Sequence, residues 1–289
     1  MVGDKGEEPG DSGGVDSSVR AMKVVIFCGG LGVRMGEETQ RIPKPMIRIG
    51  NRPILWHIMR YYAAWGHTEF VLCLGYKGDV IKEYFLSHNE ALMHDFVLDG
   101  YGADAEVEIL NRDGGPWRIT FADTGTRSTI GERLKIVEQY IGDDEVFMAT
   151  YGDGLTDVDL PALVRTFEGS GKMIMFALVK PHFHAHIVQA DDDGTVRDVR
   201  AMDTSGVRIN GGFFVMRREI FDWIAPGDEL VEETFAKLIP RGDVGAYVHD
   251  GFFGPMDTIK DRQWLEGLFD SGRAPWLRVG LDPAESPVG

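Results

Sequence analysis

The sequence predicts an α/β fold: a Rossmann-like mixed, mostly parallel sheet with helices on both faces, joined to a portion built from antiparallel strands. Three observations carry this. Short apolar runs such as Val24-Val25-Ile26-Phe27 alternate with segments of helical periodicity through the first half of the chain. A glycine-rich turn, Cys28-Gly29-Gly30-Leu31-Gly32-Val33-Arg34, follows the first of those runs directly. From about residue 155 onward the strand signal grows.

The elements follow in order. Residues 1–20 are rich in Gly, Ser, Asp and Glu and almost lack large apolar side chains, the composition of a disordered tail. Residues 21–289 read as a single domain of two halves, about 21–154 and 155–289. Residues 23–27 are the first strand. Pro53 suits a helix start, and Ile54, Leu55, Ile58, Met59 and Tyr62 recur at helical spacing up to Gly66. Residues 70–74 read as a strand and 79–86 as a helix. After an irregular region, 106–110 and 117–121 read as short strands, 131–140 as a helix, and 145–150 as a strand ending at Tyr151-Gly152-Asp153-Gly154. In the second half, 173–179, 187–189, 196–200 and 209–216 carry strand signal. A helix begins at Thr258, and the end is proline-rich. There is no internal repeat.

Composition narrows the function. Its 289 residues, 43% apolar and 26% charged, describe an ordinary soluble enzyme. With 30 Lys and Arg against 46 Asp and Glu, the net charge is −16, which argues against a nucleic-acid partner. No apolar run reaches membrane-spanning length, so no membrane partner is expected. Cys28 and Cys73 lie in or beside apolar strands and read as small buried hydrophobes. The lack of a disulfide framework fits a reducing cytoplasm.

The chemistry gathers at the glycine turn. A strand opening into such a turn lets backbone N–H groups approach phosphates closely. Arg34, and Lys44 in Pro43-Lys44-Pro45, add positive charge there, which suits a nucleoside triphosphate. The turn is not a dinucleotide fingerprint, because Met35 stands where the third glycine belongs, and no Gly-Lys-Ser/Thr follows to make a P-loop. Taken alone, the turn also reads as a tight connection, Lys44 as a surface lysine, Asp153 as a turn residue and Asp257 as a helix N-cap.

The run GGLGVRMGEETQRIPKPM resembles the signature of the sugar-1-phosphate nucleotidyltransferases. IGNRPILWHIMRYY and FVLCLGYKGDVIKEYF are similar to the glucose-1-phosphate cytidylyltransferase branch of that family, as are YGDG at 151–154, INGGFFV at 209–215, GPMDT at 254–258 and GLFDSGRAPW. The resemblance runs from about Met22 to about Trp276. It implies transfer of a nucleoside monophosphate, with CTP favoured and GTP, UTP and dTTP kept open, to a sugar-1-phosphate or sugar-like phosphate, releasing pyrophosphate. It makes the first half nucleotide-binding and the second acceptor-binding, and leaves a homo-oligomer open. By resemblance, Asp153 and Asp257 would hold Mg²⁺, Arg34 the triphosphate, and Lys44 the reacting phosphates. Phe27, Cys28, Gly29, Gly30, Leu31, Gly32, Val33, Thr39, Ser128, Thr129, Arg133 and Gly152 would contact nucleotide, and Tyr151, Asn210 and Gly211 the acceptor.

The acceptor half departs from the pattern. A Glu-Lys-Pro, whose lysine holds the sugar phosphate in the family, is replaced by Val199-Arg200-Ala201-Met202-Asp203. An Arg-Phe-Gly is replaced by His182-Phe183-His184-Ala185-His186, read as polar residues flanking a sugar pocket rather than as a metal site. Lys180, Arg200 and Arg208 are the candidates to replace the missing charge. The departure points to an acceptor other than glucose 1-phosphate, such as a modified hexose or a cyclitol phosphate. Two competing readings are a non-catalytic regulator that binds nucleotide-sugars, which Arg34, Lys44, Asp153 and Asp257 argue against, and a nicotinamide-dependent oxidoreductase, which the missing third glycine disfavours.

Overall fold

Alternation along the first strand decides how the molecule is layered. In β1 (Val24–Phe27) every residue is buried. Val24 and Ile26 enter one hydrophobic core, Val25 and Phe27 another, because successive side chains of a strand face opposite sides of the sheet. A strand buried on both faces needs cover on both. The computed structural model describes residues 20–30, 42–87, 89, 91, 94–102, 105–110, 115–182, 186–202 and 206–279. The expected tail lies, but for Arg20, outside them.

The first half continues with a small ribbon of β2 (Arg48–Ile49) and β3 (Arg52–Pro53), then helix α1 (Ile54–Ala64), β4 (Glu69–Leu74) and α2 (Gly78–Leu86). A hairpin of β5 (Phe96–Asp99) and β6 (Glu106–Ile109) follows, then β7 (Arg118–Asp123), α3 (Ile130–Ile141) and β8 (Val146–Tyr151). The second half holds β9 (Gly154–Thr156), α4 (Leu160–Ser170), β10 (Ile174–Val179), a hairpin of β11 (His186–Ala190) and β12 (Val196–Ala201), β13 (Ile209–Asn210) and β14 (Phe214–Arg217). It closes with α5 (Phe235–Leu238), β15 (Val244–Val248), β16 (Phe253–Pro255) and α6 (Ile259–Asp270).

The main sheet is mixed and eight-stranded. β7, β4, β1 and β8 lie side by side and parallel. β14 joins β8 antiparallel, β10 joins β14 antiparallel, and β15 runs parallel to β10. Two reversals restore direction, so β10 and β15 point the same way as β1 and β8. Their carboxyl ends therefore share one edge of the sheet, where ligands of such folds bind. α1, α4 and α6 pack on one core and α3 and α5 on the other. The predicted helical stripe Ile54, Leu55, Ile58, Met59 and Tyr62 is buried in the first.

Several elements differ from expectation. The strand predicted over 106–110 forms, but as β6 of an exposed hairpin outside the main sheet. The single strand predicted over 209–216 is broken between β13 and β14. There Gly212 and Phe213 adopt φ of 79° and 51°, and Ala177 bonds across the break to Gly211 N–H and Gly212 C=O. This is a bulge in an antiparallel pair, and Gly212 meets the left-handed geometry without strain. The sequence does not predict β5, α4 or β15. The start of α4 is nonetheless written in Asp159, whose carboxylate accepts from Ala162 N–H at 2.8 Å, and in Pro161. Among the described residues, no helix is long and apolar enough to cross a membrane.

His67, between α1 and β4, is fully buried and accepts a hydrogen bond from Met22 N–H at 3.0 Å. Burial pushes its pKa down to about 4. The folded state keeps this ring neutral, while the unfolded chain protonates it below about 6.5. Stability is therefore full above pH 6.5 and falls as the pH drops toward 4, by roughly 3 kcal/mol over that window. Urea unfolding at pH 7 and pH 5 should show a smaller acid loss for His67→Gln, which can still accept from Met22, than for the parent. Equal losses would remove His67 as the cause.

Candidate active site

Register brings the first two parts of the site together. Phe27 and Tyr151 are partners at the carboxyl ends of β1 and β8, and Gly152 N–H donates to Phe27 C=O at 3.1 Å. The glycine turn and the YGDG turn thus leave the sheet side by side. A Cβ on Gly152 would lie 2.9 Å from Phe27 O and 3.2 Å from Pro45 Cγ, so this crossing requires glycine.

β9 pairs antiparallel with β16, setting Gly154 opposite Pro255, and Met256 N–H donates to Asp153 C=O at 2.9 Å. This ribbon carries Asp257 to Asp153. The N-cap of α6 is Thr258, not Asp257: Thr258 and Asp261 form a reciprocal capping box. Asp257 is left with its carboxylate facing the site. Lys44 opens a short 3₁₀ turn, Lys44–Met46, with Pro43 before it and Pro45 within it. Its Nζ lies 2.6 Å from Asp153 Oδ2 and 2.7 Å from Asp257 Oδ1. Burial opposes the Lys44 charge, but the two carboxylates outweigh it and raise its pKa, so the ammonium stays charged.

Around this triad is a cleft of about 250 Å³. Phe27, Cys28, Gly29, Gly30, Tyr151 and Gly152 line it, together with Lys44, Asp153 and Asp257. Pro45 of the Pro-Lys-Pro motif also lines it, as does Ile130, which the sequence does not single out. Burial pushes the Cys28 thiol well up, so it sits in the wall as a neutral group and no thiolate nucleophile is present. Tyr151 is pushed up to about 12 by burial. It keeps its phenolic proton, and Asn210, in β13, accepts from Gly212 N–H through Oδ1 at 2.9 Å.

Other expected residues take different positions. Arg133 is buried beneath the glycine turn rather than in the cleft lining. Its guanidinium donates to Gly29 O (3.2 Å), Leu74 O (3.3 Å) and Thr124 Oγ1 (2.7 Å), tying together the chain beyond β1, β4 and β7. A Cβ on Gly29 would meet that guanidinium at 2.0 Å. Thr129 caps α3, accepting from Glu132 N–H and donating to Asp228 C=O at 2.6 Å, and Ser128 donates to Thr124 C=O. All three side chains are engaged by partners within the protein.

The acceptor candidates separate. Lys180 and Arg208 converge on Asp250, at 2.9 and 2.8 Å, at the sheet edge shared with the cleft. Arg200 lies instead on the β11–β12 hairpin, paired with Asp198. Gly211, in the bulge, packs where a Cβ would lie 2.9 Å from Val179, so that position leaves no room for a side chain. His182 stacks on Trp264, ring centroids 3.7 Å apart, and His186 opens β11. Leu31, Gly32, Val33, Arg34, Thr39 and His184 lie outside the described residues.

The all-oxygen pair Asp153 and Asp257, already gathered about one cation, fits a magnesium ion, which takes one or two carboxylates beside phosphate oxygens and water. Among the described residues, no group of three His, Cys, Asp or Glu offers another metal site.

A glucose-1-phosphate cytidylyltransferase of Salmonella typhi is 42% identical over 259 residues, which span 88% of this chain and 98% of that protein. The chain belongs to the glucose-1-phosphate cytidylyltransferase family. A probable member from Bacillus subtilis is 37% identical over 257 residues, 88% of this chain and 99% of its own. No family model matches. Among solved structures, HddC of Yersinia pseudotuberculosis superposes with a TM-score of 0.60 at 20% identity, over 86% of this chain and 99% of its own. A putative glucose-1-phosphate thymidylyltransferase of Bacillus anthracis gives 0.60 at 16%, over 86% and 95%. These two establish the shared fold.

Gly152 is a tight joint of the cytidylyltransferase-family cleft, closed by the Phe27 backbone and Pro45. Gly152→Ala should push Phe27 or the Asp153 turn out of place, costing roughly 1–3 kcal/mol of stability. It should also cost about tenfold or more in kcat/KM through misplaced groups. Melting and steady-state kinetics measure both, and a variant matching the parent in each would show that the crossing is not tight.

Proposed function

We propose that this protein is a cytidylyltransferase that transfers CMP from CTP to a phosphorylated sugar or sugar-like acceptor and releases pyrophosphate. The observation that carries the reading is Lys44 Nζ held between Asp153 and Asp257 at the mouth of the glycine turn, in a chain of this family. In the reaction an oxygen of the acceptor phosphate attacks the α-phosphorus of CTP. The bond from that phosphorus to the oxygen bridging the β-phosphate breaks, and pyrophosphate leaves with the electron pair. Two anions must meet, so positioning and neutralisation dominate. The backbone at Gly29 and Gly30 lines the triphosphate, Lys44 supplies positive charge to the reacting phosphates, and Tyr151 stands as a neutral hydroxyl. Asp153 and Asp257 would hold Mg²⁺, which when bound neutralises charge on the α-phosphate and the leaving group.

The acceptor is a sugar-1-phosphate or a relative such as a modified hexose or cyclitol phosphate. The absent Glu-Lys-Pro lysine supports a changed acceptor. Lys180 and Arg208 are the replacements best supported, because β10, β13 and β15 carry them and Asp250 to the edge where β1 and β8 end. Arg200 is a weaker candidate on its exposed hairpin.

Pyrophosphate release, measured with CTP, GTP, UTP and dTTP against a panel of sugar and cyclitol phosphates, tests the reading. The expected result is turnover with CTP and at least one such acceptor; no release with any pair would overturn it in favour of a non-catalytic binder. Asp153→Asn and Asp257→Asn should each lower kcat by about 10²-fold or more at limiting Mg²⁺, with unchanged circular dichroism. Near-parental turnover in both would sink the metal assignment.

A further inference from the structure

Lys44 stands where a metal held by both aspartates would stand. Its Nζ makes contact ion pairs of 2.6 and 2.7 Å with one oxygen of each carboxylate. A divalent cation bridging the same oxygens cannot share that space with an ammonium, because both are positive and both need those lone pairs. The backbone has little freedom to resolve the conflict. Pro43 and Pro45 flank Lys44, and proline fixes φ. The side chain must therefore do the moving, and its long unbranched stem can swing without disturbing the turn.

Its destination is the same cleft. Among the described residues that line it, Lys44 is the one cation, while Arg133 is committed beneath Gly29 and Leu74. Phosphates entering beside Gly29 and Gly30 would offer the ammonium new anionic partners and leave the carboxylates to the metal. Resting on the proposed reaction, we infer that Lys44 sets the order in which the site fills. Its ammonium keeps the aspartate pair closed to a divalent cation until a nucleotide draws it away, so the metal enters with or after the nucleotide and not before it.

The test is Mn²⁺ binding by the full chain without nucleotide, followed by calorimetry. The parent should bind Mn²⁺ weakly. Lys44→Met, which keeps the apolar stem and removes the charge, should bind about tenfold or more tightly, the penalty expected when the competent form of a site is a minor population. Lys44→Arg keeps a cation and should stay weak. Adding Asp153→Asn to Lys44→Met should abolish the gain. A Lys44→Met variant binding no better than the parent would overturn the inference, as would a parent that binds Mn²⁺ as tightly as Lys44→Met. Should Lys44→Met not fold, the parent and Lys44→Arg still decide: tight nucleotide-free Mn²⁺ binding by either overturns it. Pyrophosphate release by the parent, measured in parallel, keeps a failure here separate from a failure of the proposed reaction.

Discussion

One ammonium group ties three distant parts of this chain together. Lys44 Nζ reaches Asp153, 109 residues on, and Asp257, 213 residues on. At 12% side-chain exposure it is mostly removed from water. Breaking such a pair on one side leaves an uncompensated charge in a poorly solvated place and is far more damaging than replacing both partners. Two carboxylates against one cation also leave a local excess of negative charge, which a divalent cation can satisfy once the ammonium has moved away.

The sheet delivers those three groups, and small devices hold them. Parallel pairing of β1 with β8 sets the glycine turn against the YGDG turn, and the β9–β16 ribbon carries Asp257 in from the far end of the sequence. The capping box of Thr258 and Asp261 frees Asp257 from ending the helix. Arg133 braces the carbonyls of Gly29 and Leu74, leaving Gly29 and Gly30 to line the cleft. These supports rank with the cleft residues in importance, since a site misplaced by an ångström loses much of its effect.

The sequence made some of this legible. The fully apolar run 24–27 and the helical stripe from Ile54 to Tyr62 each have one reading, and the fold returns both. The family resemblance marks Phe27 to Gly30, Lys44, Gly152, Asp153 and Asp257, and they line one cleft. What escaped depends on long-range contact. Nothing local in Arg133 tells whether its guanidinium points up to a ligand or down to three strand ends. Thr129 carried a helix-cap signal, with Glu132 three residues on, that competed with the nucleotide role. The break at 211–213 follows from pairing with Ala177, and β15 from pairing with β10; neither partner is visible from the segment itself. Asp250, which holds both Lys180 and Arg208, reads in the sequence only as one more loop carboxylate.

Lys44 and Asp153 act as a coupled pair. A double-mutant cycle on unfolding free energy, with Lys44→Met, Asp153→Asn and both together, measures it directly. Each single substitution should destabilise and the double variant should recover part of the loss, with a coupling of roughly 1–3 kcal/mol. Strict additivity, with the two single losses simply summing in the double variant, would contradict it.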